Sequence, residues 1–250
     1  MSELDLDSVC LNKTDRFDLW ISILNETNAK SVAEIGVWRG EFAAQILEHC
    51  PSIETYYMID PWRHLEDWNK PANVSNTQFD AIMAEALDRT KFAIDRVKVL
   101  RGRTQDVVDQ IEDGSLDFAY IDGDHSLRGI TVDLQLMLPK VHLGGYIGGD
   151  DFCRTVWQQP RPYEPSFVFP YAVYFAEAMK LPIWALHFDQ FLVQLKGRHE
   201  PVFTDRTGKY PSPTVVAALG PSQRKHRGVG SRRWRGIVKR GRSRSKPEPA

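Results

Sequence analysis

Five short strand-like runs, four of them closing on glycine or aspartate and each next to a helical stripe, restrict this chain more than any other feature. They cover residues 31–36, 55–59 leading into Asp60, 96–100, 116–121 leading into Asp122, and 145–149 leading into Asp150. Between them lie apolar residues at helical spacing: Phe42, Ala43, Ile46 and Leu47; Phe79, Ile82, Met83, Ala86 and Leu87; a short segment over 106–111; and Leu127, Ile130, Leu134 and Met137. A further amphipathic helix is predicted over 15–24, ahead of the first run. Strands alternating with helices predict a parallel sheet covered on both faces. The last two runs, 184–187 and 191–195, are separated only by Phe188-Asp189-Gln190. Three residues cannot hold a crossover helix, so these strands must form an antiparallel hairpin at one edge. The expected fold is α/β, a doubly wound, mostly parallel seven-stranded sheet finished by a C-terminal antiparallel hairpin.

Composition narrows the setting. No run of eighteen apolar residues exists, so no transmembrane segment is expected. The acidic N-terminus lacks the apolar stretch of a secretory signal, and Cys10, Cys50 and Cys153 form no CxxC pair; both point to a cytoplasmic protein. The formal net charge of −1 conceals two unlike parts. Residues 221–250 carry eleven Lys or Arg and a single acid, leaving the rest of the chain at about −11. The expectation is a folded domain over 1–219 and a basic tail over 220–250 without fixed structure.

In an open α/β sheet, ligands bind beyond the carboxyl ends of the strands, near the point where strand order reverses. Gly36 and Gly40 bracket the first such loop. Glycine permits a tight turn and a close approach of backbone to ligand, and the helix after Gly40 aims its amide-rich end at the same place. A pyrophosphate-binding loop would read GxGxxG, whereas this one reads Glu34-x-Gly36-x-x-x-Gly40. The Glu34 carboxylate repels phosphate and suits a ligand with an ammonium group, such as S-adenosylmethionine (SAM). Taken singly, the glycines also suit ordinary turns, and Asp60 before Pro61 also suits a turn start.

With Glu34, Gly36, Gly40 and the strand-closing Asp60 in place, the chain resembles the class I SAM-dependent methyltransferases, which share a Rossmann-like fold. The resemblance implies that Glu34, Gly36 and Gly40 surround the methionine part of SAM. It further implies that Asp60 accepts hydrogen bonds from the ribose hydroxyls and that Arg103-Thr104-Gln105 lies on the adenine side.

Asp122, Asp124, Asp150 and Asp151 close two strands expected to be neighbours. Carboxylates so gathered repel one another unless neutralised, and a hard divalent cation such as Mg²⁺ would do so. The stretches 116–125 and 144–152 resemble metal-dependent small-molecule O-methyltransferases, closest to the sugar enzymes of macrolide biosynthesis and similar to the catechol type. The resemblance implies metal ligands at Asp122, Asp150 and Asp151, with Asp122 also beside the cofactor and the reaction. The catechol type usually has Asp-Asn where this chain has Asp150-Asp151. Against the metal, many metal-independent methyltransferases also end the fourth strand in Asp, and Asp150-Asp151 could cap the next segment.

His125 titrates near neutral pH when unperturbed and is the first candidate for general base; Asp124 is the second. Two aromatic segments, 61–71 and 157–174, follow strand ends and are expected to overhang the site, although lid or dimer packing would use the same residues. The expected reaction is Mg²⁺-assisted O-methylation of a small hydroxylated acceptor such as a sugar or natural product, by an enzyme that can be a homo-oligomer. Two other readings stand beside it: methylation of RNA or another macromolecule recruited by the basic tail, which could also contact an anionic surface, and a non-catalytic SAM-fold protein.

Overall fold

The parallel strands form where the apolar runs place them. The computed structural model describes residues 4–196 and 202–210; the basic tail lies outside the described residues. In chain order the elements are α1 (Leu6–Val9), α2 (Arg16–Glu26), β1 (Ser31–Ile35), α3 (Glu41–His49), β2 (Thr55–Asp60), α4 (Asn76–Thr90), β3 (Val97–Arg101), α5 (Thr104–Val107), β4 (Leu116–Ile121), α6 (Leu127–Met137), β5 (Val141–Gly149), α7 (Val168–Met179), β6 (Ile183–Leu186), β7 (Gln190–Gln194) and β8 (Phe203–Asp205). They build one sheet in the order β3-β2-β1-β4-β5-β7-β6-β8. The first five strands in that row are parallel, β7 runs antiparallel to both β5 and β6, and β8 is parallel to β6.

The sheet therefore has eight strands rather than the expected seven. The extra strand, Phe203-Thr204-Asp205, is too short to show a period-two pattern in sequence. The expected hairpin is present, and its turn puts Phe188 and Asp189 in the left-handed region at φ 62° and 55°. Two consecutive positive-φ residues are the turn whose twist matches that of the flanking strands.

Each face of the sheet carries its own core. Side chains of α5, α6 and α7 cover one face, packing on Ala33, Ile35, Ala119, Ile121 and Ile147. On the other face α1–α4 pack on Val32, Tyr56, Met58, Phe118 and Tyr120. Helix starts follow local chemistry: Asp15 caps α2 by accepting from Asp18 N at 2.9 Å, and Ser75 with Gln78 forms a reciprocal capping box on α4. Among the described residues, no helix is long and apolar enough to cross a membrane.

Trp20 of α2 decides how the second layer docks. It is fully buried, lies edge-on to Tyr120 at 5.3 Å between ring centroids, and covers Gly148 so closely that a Cβ there would come 2.4 Å from the indole. Its Nε1 donates to Gln190 Oε1 at 2.7 Å, tying α2 to the antiparallel edge. Trp20→Ala should lower unfolding free energy by about 3–5 kcal/mol through lost burial and a cavity, measured by chemical denaturation. A loss below about 1 kcal/mol would show that α2 does not depend on this anchor.

Candidate active site

Chain order reverses between β1 and β4, and a cleft of about 630 Å³ opens beyond their carboxyl ends. Glu34, Gly36, Asp60, Thr104, Asp122, His125, Asp150 and Asp151 all line it. Gly40, expected beside the cofactor, does not line the cleft. It starts α3 in the left-handed conformation and lies against α4, where a Cβ would meet the Ala86 backbone at 2.9 Å. Gly36 does sit in the cleft wall. At φ 88° it passes so near β4 that a Cβ would fall 2.1 Å from the Asp122 carbonyl oxygen, so only glycine lets the β1 loop cross there.

Two buried carboxylates, Glu34 and Asp60, line one end of the cleft. Glu34 accepts from the Tyr56 hydroxyl at 2.8 Å; burial pushes its pKa well above the carboxylate range, while Tyr56 and Arg16 act the other way. A ligand cation would restore the charged form. Asp60 accepts from the backbone N–H of Trp38 at 2.9 Å and of Trp62 at 2.7 Å, which fixes both of its oxygens in the loop. Burial raises its pKa to about 6 against the pull of those N–H groups. Thr104, expected on the adenine side, gives its hydroxyl to Asp133 at 2.6 Å. Asp133 was not singled out from the sequence. Burial raises its pKa to about 7, and it also lines the cleft.

At the other end the expected acids converge, together with two cations. Arg16, the first residue of α2, contacts Asp150 Oδ2 and lies 3.1 Å from Asp122 Oδ2, both through Nη1. The His125 imidazole stands between Asp151 and Asp122: Nδ1 contacts Asp151 Oδ2, and Nε2 lies 3.4 Å from Asp122 Oδ1 without hydrogen-bond alignment. Burial disfavours the charged ring, but the two carboxylates prevail and lift its pKa to about 10. Standing between two carboxylates favours the charged ring over the neutral form that a general base needs. Asp150 Oδ1 is taken by the Asp151 N–H at 2.7 Å and by Gln190 Nε2 at 2.6 Å. Asp124 stands apart from the cluster, accepting from Ser126 N–H at 3.0 Å, Ser126 Oγ at 2.9 Å and Trp68 Nε1 at 3.0 Å. It shapes the turn into α6.

Of the aromatic segments expected to overhang the site, the first does so in part. Trp68 lines the cleft, whereas Trp62 is fully buried. In the second, Phe169, Tyr171 and Tyr174 belong to α7 and pack on the core, with Phe169 5.0 Å from Phe152 between ring centroids. The two segments are joined above the cleft. Lys70 Nζ donates to the Glu164 carbonyl at 2.8 Å and Asn69 Nδ2 to the Pro162 carbonyl at 3.0 Å, while Phe167 N ties the second segment to the loop after β4 by donating to the His125 carbonyl at 2.7 Å.

Comparisons with known proteins agree with this geometry. Residues 33–152 match the family model of a methyltransferase domain. No curated protein matches the chain. Among solved structures, a Staphylococcus aureus protein assigned as a caffeoyl-CoA O-methyltransferase superposes with TM-score 0.54 at 16% identity, over 74% of this chain and 85% of that one. The O-methyltransferase TomG of Streptomyces achromogenes, involved in tomaymycin synthesis and solved with SAM, gives TM-score 0.53 at 15% identity over 73% and 80%. An O-methyltransferase from Bacillus cereus, solved with S-adenosylhomocysteine, gives 0.51 at 17% over 75% and 84%. At such identities the structures bear on fold alone, which is that of the O-methyltransferases, and residues 33–152 carry the match to a methyltransferase domain.

Proposed function

We propose that the chain transfers the methyl group of SAM to a hydroxyl oxygen of a small acceptor. The observation that carries this reading is one continuous cleft with two different ends. Glu34, Gly36 and Asp60 make one end, and Asp122, His125, Asp150 and Asp151 the other. The three solved structures named above are O-methyltransferases by description, which supports oxygen as the receiving atom.

Bound SAM supplies an electrophilic methyl group on a sulfonium. Glu34 receives its ammonium group, Asp60 accepts from the ribose hydroxyls, and the segment around Thr104 meets the base. A small acceptor, enclosed between these loops and the roof over residues 61–71 and 157–167, presents its oxygen at the acid end. The new O–CH₃ bond forms as the S–CH₃ bond breaks with its electrons left on sulfur, and the hydroxyl proton passes to Asp122. Asp122 suits that role because its two cation contacts, at 3.1 and 3.4 Å, are looser than those of Asp150 and Asp151. Most of the acceleration comes from alignment within the enclosed cleft.

The divalent ion expected at Asp122, Asp150 and Asp151 does not fit this arrangement. Arg16 bridges Asp122 and Asp150, and His125 stands between Asp122 and Asp151, so each carboxylate already faces a nitrogen of the protein. Atoms of Asp122, His125 and Asp151 come within 4.8 Å of one another, but the His125 ring itself occupies the space between the two acids. No step is therefore routed through a metal. The macromolecular alternative rests on the basic tail alone.

The first test is a titration of SAM by calorimetry, joined to a screen of phenolic and sugar hydroxyls for the mass gain of one methylene. No binding of SAM would remove the reading altogether. Asp60→Ala should weaken SAM binding by about tenfold or more, the worth of a lost charge-assisted hydrogen bond. Because Asp60 titrates at about 6 and accepts best when ionised, SAM affinity should stay level from pH 8 to 7 and fall as pH drops through 6. Asp60→Asn should flatten that profile. Asp122→Asn should cut kcat by about a hundredfold or more while leaving SAM affinity within a few-fold; equal loss of both would place Asp122 in cofactor binding instead.

A further inference from the structure

Three carboxylates, Asp122, Asp150 and Asp151, meet at the acid end of the cleft, and one guanidinium reaches two of them. Arg16 comes from the start of α2, far from its partners in sequence: 106 residues separate it from Asp122 and 134 from Asp150. Its placement is built rather than incidental. Trp20, one turn further along α2, is fully buried and bonds to Gln190, while the Gln190 amide nitrogen bonds to Asp150. The Tyr120 hydroxyl also donates to Gln190, at 2.9 Å. A closed circuit of Arg16, Asp150, Gln190 and Trp20 thus fixes the helix, the guanidinium and the carboxylate against one another.

We propose that Arg16 is the resident counter-cation of this site, standing where the resemblance drawn from sequence implies a divalent ion, and that the acid cluster is complete without added metal. The inference rests on the methyltransferase reading above and concerns how the same site is held. Arg16 bridges Asp122 and Asp150 through one nitrogen, so the place that a divalent ion would take between those two carboxylates is filled by the guanidinium. The arrangement also leaves Arg16 a part in acceptor binding. Both ion pairs use Nη1, and no acceptor among the described residues takes the Nε or Nη2 hydrogens, while its side chain stays 31% exposed on the cleft wall. Arg16 is thus a positioning residue for the acid end, with three N–H groups left to orient an acceptor oxygen.

The deciding experiment uses the full chain, dialysed against EDTA, with MgCl₂ and then MnCl₂ as probes. The parent should show no calorimetric heat and no rise in Tm with either ion at about 10 mM, far above the dissociation constant of a useful site. Arg16→Gln removes the guanidinium from between Asp122 and Asp150 and should gain divalent-ion binding, seen as a rise in Tm of several degrees. Arg16→Lys keeps the charge and should behave as the parent. SAM affinity, measured on the same samples, should change by no more than a few-fold in both variants. Mg²⁺ or Mn²⁺ raising the Tm of the parent would overturn the inference, since the ion would then displace Arg16. So would an Arg16→Gln chain that folds yet binds no ion. If Arg16→Gln fails to fold, the parent and Arg16→Lys titrations decide alone. Failure of the parent to bind SAM would instead sink the methyltransferase reading, whatever the ions do.

Discussion

The contact between Arg16 and the carboxylates at the ends of β4 and β5 is the constraint around which the rest of the molecule is arranged. Carboxylates at the ends of adjacent strands repel, and burial makes the repulsion stronger by lowering the local dielectric. A sheet can end this way only if something fixes positive charge at its edge. Here that charge arrives on a helix from the other layer, which makes docking of α2 and assembly of the acid end a single event. Trp20 over Gly148, Gln190 between Trp20 and Asp150, and Arg16 on Asp150 are the successive links. Packing and electrostatics are therefore not separable at this point.

The antiparallel edge contributes more than a cap to the sheet. Phe152, just past Asp150 and Asp151, donates its N–H to the Asp189 carbonyl in the β6–β7 turn at 2.8 Å, and its own carbonyl receives the Tyr210 hydroxyl. With Asp151 itself at φ 57°, the chain leaving β5 turns sharply and is held from two sides. A parallel strand in that position would have needed a crossover helix and could not have brought a tight turn beside the aspartates.

Much of this was legible in the sequence because strand ends carry their own marks. Gly36, Asp60, Asp122 and Asp150 each close an apolar run, and the structure places all four around one cleft. The short loop at 188–190 was enough to fix strand direction. What was not legible depends on contacts between distant segments. Arg16 read only as the polar start of an amphipathic helix, since nothing local connects it with residues more than a hundred positions away. Gln190 read as part of a turn. His125 looked like a base from its ordinary titration range, and only its position between two carboxylates shows what pulls it toward the charged form. Phe169, Tyr171 and Tyr174 read as overhanging the site because both faces of α7 are apolar, leaving no stripe to say which side is buried. Gly40 had the spacing of a ligand contact but serves the packing of α3 on α4.

The bonds that join the two roof segments bear on timing. Lys70 and Asn69 both donate to backbone carbonyls of the second segment, so the junction depends on no side-chain acceptor there. Separating the two segments breaks only a few hydrogen bonds and leaves both cores of the sheet packed, so this side of the cleft can open locally, on the scale of microseconds or longer.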